Sequence, residues 1–148
     1  MNKIVVHTDA ACYYKNPIMG VGFNVEVDGM EIYSHSCNCG EGTVSKGEWA
    51  GLIQALFWLR GHQGFTLNGD KVVIYMDSQY VVNTINGIYN SRKESLVPFY
   101  RLALKLLNSF PVNTVEVEWI PRELNVRADK LSKEGLMKEI NKPAWWTW

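Results

Sequence analysis

Three strand-like segments follow one another in the first forty residues, and this feature constrains the fold more than any other. Residues 3–8 contain Ile4, Val5 and Val6 in a row, which is typical of a buried strand. Residues 20–27 alternate apolar and polar positions, and Asp28-Gly29 is a strong two-residue hairpin pattern. Residues 30–39 return as a third strand. The chain therefore begins as an antiparallel meander.

The rest of the chain alternates between helical and strand patterns. The predicted helices are 45–61, 78–85, 96–110 and 126–140, and the predicted strands are 71–76 and 114–120. A helix that connects two strands returns the chain in the same direction, so the later strands should run parallel to the first. The order βββαβααβα predicts an α/β fold in which a mixed five-stranded sheet combines a three-stranded antiparallel meander with two parallel strands and is flanked by helices.

Composition limits the class of protein. The 148 residues suit one domain, and we expect a body over 1–140 and an aromatic tail over 141–148. Their 15 basic and 15 acidic side chains and 47% hydrophobic residues exclude a disordered chain, and no apolar run is long enough to span a membrane. Three cysteines, an odd number, and no secretory pattern predict a reducing, cytoplasmic location. Residues 91–148 carry 10 basic and 7 acidic side chains, which predicts modest, salt-sensitive binding to polyanions.

Four acidic residues occupy similar positions in the predicted elements. Asp9 and Asp77 follow strands, whereas Glu48 and Asp129 lie in the first turns of helices. If the first, fourth and fifth strands are neighbours, these side chains converge at one end of the sheet. Clustered carboxylates need a compensating cation, and ligands that are all oxygen suit Mg²⁺ or Mn²⁺. Two such ions would suit phosphodiester hydrolysis.

Each acidic residue also has a purely structural interpretation, and the sequence leaves these open. Ser45-x-x-Glu48 matches a capping box. Asp77 precedes a helix and could be its N-cap. Asp129 could be a solvated charge favoured by the helix dipole, and Asp9 could be a turn residue.

Four segments resemble, in matching order, blocks of the type 1 ribonuclease H family. They read HTDAAC at 7–12, EWAGLIQAL at 48–56, YMDSQYV at 75–81 and IPRELNVRADKLS at 120–132. The resemblance covers about residues 3–136. It implies a ribonuclease H-like fold and an endonuclease that cuts the RNA strand of RNA/DNA hybrids, leaving 5′-phosphate and 3′-hydroxyl ends.

The resemblance also implies which residues form the site. Two Mg²⁺ ions, with Mn²⁺ as a substitute, would be held by Asp9, Glu48, Asp77 and Asp129, and Glu48 would also approach the RNA 2′-hydroxyl. The matching substrate-contact positions are Cys12, Asn16, Ser45, Gln79, Arg122 and Asn125.

Two features depart from the common family pattern. Many members carry a histidine before the last aspartate, but residues 110–148 contain none, so the loop 121–125 resembles a subgroup with a shorter, histidine-free loop. Arg122 and Glu123 are the candidates to replace that histidine. The segment 86–95 is also short and keeps only Arg92 and Lys93, which predicts weaker binding with a shallower salt dependence.

The sequence before the first long helix departs as well. Val44 and Ser45 stand where the family often has paired asparagines, so only one hydroxyl remains to contact the hybrid. Two alternative functions stay open: a non-catalytic module that binds hybrids or duplexes, and a nuclease of the same fold with another nucleic-acid substrate.

Two further patterns fall outside the resemblance. His35-x-Cys37-x-Cys39 could bind zinc from one face of a strand, but strand alternation with free thiols explains it better, since zinc sites more commonly use Cys-x₂₋₄-Cys spacing on a turn. The three tryptophans at 145, 146 and 148 could dock on the body, stack on bases or meet a protein partner. We expect a monomer with no membrane contact.

Overall fold

The mixed sheet has the strand order β3-β2-β1-β4-β5 in the computed structural model, which describes residues 2–13, 15–64, 70–90 and 93–148. The strands are β1 Lys3–Cys12, β2 Ile18–Val27, β3 Met30–Glu41, β4 Lys71–Met76 and β5 Val115–Trp119. The helices are α1 Val44–Gly61, α2 Gln79–Ile85, α3 Val97–Asn108 and α4 Val126–Leu136. Strands β1 to β3 are antiparallel and β1, β4 and β5 are parallel, which confirms the predicted fold class and element order.

The hairpin between β2 and β3 has the predicted two-residue turn. Asp28 and Gly29 both have positive φ angles, 51° and 85°. Two successive left-handed residues produce a turn whose twist matches that of the flanking strands. The hairpin therefore fixes the register of the meander.

Strand β1 is longer than the sequence pattern predicts. It continues past Thr8 to Cys12, and Asp9 lies opposite Gly22 of β2. Asp9 is thus neither a turn residue nor the end of the strand, and both expectations were wrong. Ala10 and Ala11 have little β-propensity of their own, but pairing with β2 holds them extended.

Helix α4 is shorter than predicted, because its final turn is replaced by contacts with β3. It ends at Leu136, and Ile140 forms a parallel bridge with Asn38. The Asn38 side chain donates to the Lys138 carbonyl at 3.1 Å, and its own carbonyl accepts from the Asn141 N–H at 2.8 Å. These tertiary hydrogen bonds replace the helical ones that residues 137–140 would have made.

The helices cover both faces of the sheet. Helices α1 and α3 pack on one face, where Trp49, Leu52, Ile53 and Phe99 are almost completely buried. Helix α4 packs on the other face against β1, β2 and β3. No described helix is both long and apolar enough to cross a membrane.

The aromatic tail docks on the body. Trp146 is buried and meets Phe99 of α3 edge to face, with ring centroids 4.9 Å apart. Trp145 lies nearly parallel to Phe57 of α1 at 6.3 Å. Of the three roles that the sequence left open for these tryptophans, the structure shows docking on the body.

Candidate active site and metal centre

Three carboxylates meet at one end of the sheet. They are Asp9 in the middle of β1, Glu48 in α1 and Asp77 directly after β4, and one ligand oxygen of each lies within 4.8 Å of the others. Asp9 and Glu48 are only 4% and 8% exposed, and Asp77 is half-buried. The structure therefore brings together three of the four acidic residues that the sequence singled out.

The parallel pairing of β1 and β4 places the two aspartates side by side. His7 is paired with Tyr75 at the last parallel position, so two further residues along each strand lead to Asp9 and Asp77. Because the carboxyl ends of parallel strands meet at one edge of a sheet, this register puts both side chains into the same crevice.

Two glycines in α1 bring Glu48 to this crevice. A Cβ atom at Gly51 would overlap the Thr8 hydroxyl oxygen, and one at Gly47 would lie 2.9 Å from the Ala10 Cβ. Helix α1 can therefore lie directly against β1 only because these two positions have no side chain. Glu48 is adjacent to Gly47, and its side chain reaches the other two carboxylates from the helix.

A second pair of glycines seats α4 on the opposite face of the sheet. A Cβ at Gly20 would collide with the Ser132 carbonyl oxygen, and one at Gly22 would lie 2.5 Å from the Leu131 Cβ. The close packing places the first turns of α4, which contain Asp129, at the same end of the sheet as the three carboxylates. The sequence contains these glycines, but it does not indicate that α4 packs against them.

Asp129 lies at the rim of the site and not within it. Its side chain is 35% exposed and pairs with Lys133 Nζ at 3.0 Å, one helical turn away. It is outside the group of three whose oxygens converge. Its charge still acts on the site, because it helps to raise the pKa of Asp9.

Asp9 is difficult to ionise in this environment. Burial is the main cause, followed by the negative charge of Asp77, and together with Asp129 they raise the pKa of Asp9 to about 7. The Ala10 N–H, which donates to Asp9 Oδ1 at 2.8 Å, acts in the opposite direction. A carboxyl with this pKa retains a proton close to neutral pH unless a cation replaces it.

The pKa of Glu48 is also raised. Burial, then the charges of Asp9 and Asp77, raise its pKa well above the ordinary value, and the Arg122 guanidinium only partly opposes them. Glu48 Oε2 is buried and has no hydrogen-bond partner among the described residues. No Lys or Arg of the described ranges forms an ion pair with any of the three carboxylates. A converging set of oxygen donors without a counter-charge fits a hard divalent cation such as Mg²⁺ or Mn²⁺.

Asn125 does not lie where a substrate contact is expected. It is fully buried, and its Nδ2 donates to the Thr8 carbonyl at 3.0 Å and to Asp77 Oδ2 at 3.4 Å. The Trp119 indole N–H also donates to the Asp77 carbonyl at 3.1 Å. The side chain of Asn125 therefore positions Asp77, and it has no free surface for nucleic acid. An isolated asparagine in a polar loop gives no sequence pattern that reveals this role.

Two of the structural interpretations of the acidic residues are wrong. The N-cap of α1 is Thr43, whose Oγ1 accepts from the Lys46 N–H at 3.3 Å, so Glu48 is not part of a capping box. The N-cap of α2 is Ser78 and not Asp77. Neither carboxylate is needed to complete a helix end, so both remain available as ligands.

The other positions expected to contact substrate are at least partly exposed. These are Cys12, Asn16, Ser45, Gln79 and Arg122. The loop after β1 is joined to the start of α1, because the Gly42 N–H donates to the Pro17 carbonyl at 2.8 Å and the Cys12 thiol donates to the Gly42 carbonyl at 3.4 Å. Asn16, Ser45, Gln79 and Arg122 are exposed, and Cys12 is partly exposed. Their contact with nucleic acid remains a prediction.

Comparison with known proteins gives one consistent result. The model of the RNase H family matches residues 1–137. The structure of LC11-RNase H1, isolated from compost by a metagenomic approach, is 28% identical with a TM-score of 0.84, and the match covers 93% of this chain and 97% of that one. RNase H1 of the halophilic archaeon Halobacterium salinarum is 25% identical, with a TM-score of 0.80 and coverages of 91% and 98%.

A curated relative is much longer than this chain. The bifunctional protein Rv2228c of Mycobacterium tuberculosis is 28% identical over 97 residues, which are 66% of this chain and 25% of that protein. The chain thus spans about a quarter of the length of the mycobacterial relatives that it matches.

Proposed function

Since the chain belongs to the RNase H family, we propose that it hydrolyses the RNA strand of RNA/DNA hybrids with two divalent metal ions. The convergence of Asp9, Glu48 and Asp77, with oxygens within 4.8 Å of one another, carries this proposal. Strand β1, helix α1 and the residue after β4 supply the three carboxylates of this crevice, and burial of that much negative charge is costly unless a cation binds there.

The carboxylates have distinct roles in this proposal. Asp9, Glu48 and Asp77 hold the ions from within the crevice, and Asp129 contributes from the rim once its side chain leaves Lys133. When bound, two Mg²⁺ or Mn²⁺ ions activate a water nucleophile and stabilise the leaving oxygen, which would give 5′-phosphate and 3′-hydroxyl ends.

Other residues keep these ligands in place. The Asn125 amide and the Trp119 indole fix Asp77 through its carboxylate and its backbone carbonyl. Gly47 and Gly51 keep Glu48 close to β1. This support reduces the reorganisation that the carboxylates undergo when they bind a ligand, and such preorganisation is a large part of catalysis by positioned groups.

Support for the substrate comes from the comparison and from the rim. LC11-RNase H1 has also been solved in complex with an RNA/DNA hybrid, and that structure is 27% identical with a TM-score of 0.82, covering 91% of this chain and 97% of that one. Asn16 and Gln79, which match minor-groove contacts, are both exposed. Of the two basic residues expected to grip the hybrid, Lys93 is exposed and Arg92 lies outside the described residues.

A cleavage panel tests this proposal. The purified chain is given labelled RNA/DNA hybrid, RNA duplex, DNA duplex and single-stranded RNA, each with Mg²⁺, Mn²⁺ or EDTA. We expect internal cuts confined to the RNA of the hybrid, abolished by EDTA, with a phosphate on the new 5′ end. Binding of the hybrid without cleavage under any metal would instead indicate a non-catalytic module. Cleavage of another nucleic acid would indicate a different nuclease.

Asp77→Asn provides the residue-level test. Its carboxylate loses a metal-binding oxygen, so we expect hybrid cleavage to fall at least about 1,000-fold, while thermal stability stays equal or rises because a repelling charge is removed. Glu139→Gln is the matched control, since it also removes one negative charge but lies on the exposed surface. If Asp77→Asn keeps more than a few per cent of the wild-type rate, the assignment of the metal site is wrong.

A further inference from the structure

Two cysteine thiols of β3 face each other at a distance from the carboxylate site, and the proposed function uses neither. The Cys39 thiol points at Cys37 Sγ, with the sulfur atoms 3.9 Å apart. Both cysteines are free and buried, at 8% and 1% exposed. The pair lies on the sheet face that α1 covers, since Gln54 of α1 contacts Cys39.

A β-bulge brings the two sulfur atoms together. Gly20 of β2 is paired with Asn38, whereas Met19 is paired with Gly40, so Cys39 has no partner on β2. Gly40 has a φ angle of 85°, which a residue with a side chain rarely adopts. In a regular strand, positions i and i+2 are roughly 6.6 Å apart, so the short sulfur–sulfur distance is a consequence of the bulge and of the two rotamers.

This distance suits a bridging metal ion better than a disulfide. Two thiolates bound to a tetrahedral Zn²⁺ with bonds of about 2.3 Å lie about 3.8 Å apart. A disulfide requires about 2.0 Å and a specific dihedral angle, so the sulfur atoms would have to approach by nearly 2 Å. The thiols can thus chelate one ion with almost no movement.

The residues around the two thiols offer softer metal ligands than the oxygen atoms of the carboxylate site. His35 lies two residues before Cys37 on the same strand face and lines the same cavity, so it is the nearest nitrogen donor along the strand. Gln54 Nε2 donates to Cys39 Sγ at 3.7 Å and could keep this hydrogen bond to a bound thiolate. Sulfur and imidazole ligands favour Zn²⁺ and its softer relatives over Mg²⁺.

A cavity of about 250 Å³ gives an ion access to Cys37, whose sulfur atom contacts that of Cys39. Cys37 forms part of its lining, and its thiol donates to the Asn141 carbonyl at 3.3 Å. The aromatic residues of the wall are Phe23, Tyr33, Phe57, Trp58 and Trp145. Among the residues that the structure describes, no Asp or Glu lines this cavity, so hard cations find no carboxylate ligand there.

We propose that Cys37 and Cys39 bind one soft metal ion of the Zn²⁺ or Cd²⁺ type at this cavity, with His35 as the third ligand. The site shares no residue with the carboxylate crevice. The His35 ring packs on Phe23 with centroids 5.3 Å apart, and the three ligand atoms do not all lie within 4.8 Å of one another as the carboxylates do. Coordination by all three residues therefore requires the His35 ring to move toward the two sulfur atoms.

Cadmium titration tests this site by a readout that is independent of nuclease activity. The reduced protein is titrated with Cd²⁺ in excess Mg²⁺, and the sulfur-to-cadmium charge-transfer absorption is followed in the ultraviolet. We expect one equivalent of tight binding. Cys37→Ser and Cys39→Ser should each weaken binding at least about 100-fold, and His35→Gln about 10-fold. Cys12→Ser is the control, because that thiol lies elsewhere, near Gly42, and should leave binding unchanged.

Thiol counting on the wild-type protein decides the matter even if a serine variant does not fold. Relative to the metal-free protein under the same conditions, bound Cd²⁺ should slow the alkylation of two of the three thiols further, and protein digestion should identify them as Cys37 and Cys39. An absorption band that survives Cys37→Ser but disappears in Cys12→Ser would overturn the proposal. The proposal would equally fail if only one thiol reacted before addition of a reductant and three afterwards, because a disulfide would then occupy the pair.

Discussion

Helix α1 passes from the carboxylate crevice at its first turns to the aromatic tail at its last. In the first half, Gly47 and Gly51 press against β1, and Glu48 is buried with one carboxylate oxygen lacking a partner among the described residues. In the second half, Leu56 and Leu59 are completely buried, and Phe57 lies beside the tail. One continuous helix thus contains both a buried carboxyl group with a raised pKa and part of the hydrophobic core.

The difference shows how the fold maintains an unfavourable site. Each large apolar side chain buried along the second half stabilises the fold by about 1.5–3 kcal/mol, whereas a buried carboxyl without a partner destabilises it. Because both halves belong to the same rigid helix, the apolar half holds the acidic half in position. The site end should therefore respond to pH and metal, and the tail end to loss of packing.

The largest effect should come from titration of the metal-free site. The pKa of Asp9 is raised to about 7 in the folded protein from 3.8 in the unfolded chain, so the unfolded state releases this proton first as pH rises. Asp9 therefore lowers the free energy of unfolding progressively between about pH 4 and pH 7, by at most ~4 kcal/mol. We expect Asp9→Asn to remove this loss, so that the free energies of unfolding of the wild type and the variant differ most above pH 7.

Urea unfolding in EDTA measures this difference at pH 4.5, 6 and 7.5. Other groups titrate in the same range, such as His7, whose pKa is lowered from 6.5 chiefly by burial, so only the difference between variant and wild type is interpreted. Added Mg²⁺ at pH 7.5 should raise the stability of the wild type but not that of Asp9→Asn. A difference that is independent of pH would show that Asp9 is not the destabilising group.

The next effect concerns the tail end. Trp146 is buried against Phe99, so Trp146→Ala should lower the free energy of unfolding by ~3 kcal/mol. Trp148 is 44% exposed, and Trp148→Ala should cost less than half as much. Hybrid cleavage per folded molecule should be unchanged in both. Equal losses of stability in the two variants would show that burial does not determine the contribution of each tryptophan. A fall in the specific rate of folded Trp146→Ala would mean that tail and site are not separate.

The meander and the element order could be predicted from the sequence because their patterns are local. Asp28-Gly29 adopts the expected hairpin turn, and residues 71–76 form the expected strand. The end of β1 could not be predicted, since Ala10 and Ala11 become extended only through pairing with β2. Local propensity predicts a strand well where the strand's own side chains determine its length. It fails where pairing with a neighbouring strand determines that length.

The acidic residues of the candidate site could be predicted because the resemblance to the family named them. The arrangement around them was not, because it depends on distances between elements. Nothing in the sequence indicates that Gly51 touches Thr8 or that the Asn125 amide reaches Asp77. The ion pair of Asp129 with Lys133, which holds the fourth carboxylate at the rim, likewise becomes evident only in the folded chain.

The smallest effect isolates the close approach of α1 to β1. A methyl group at Gly51 meets Thr8 Oγ1 and lies 3.4 Å from Val21 Cγ1, so Gly51→Ala should displace the helix. The overlap costs about 1–3 kcal/mol, and the better helix propensity of alanine returns about 1 kcal/mol, which leaves a net loss of ~0–2 kcal/mol. The displaced Glu48 should lower kcat for hybrid cleavage about 10–100-fold.

Gly61→Ala is the matched control for this variant. Gly61 is the last residue of the same helix, and a methyl group there has nothing within 4 Å, so stability should be unchanged or slightly higher and cleavage should be normal. If Gly51→Ala behaves like Gly61→Ala in both assays, the close contact does not position Glu48. If instead Gly51→Ala loses stability but keeps its rate, the two halves of α1 adjust independently, and the helix does not transmit packing to the site.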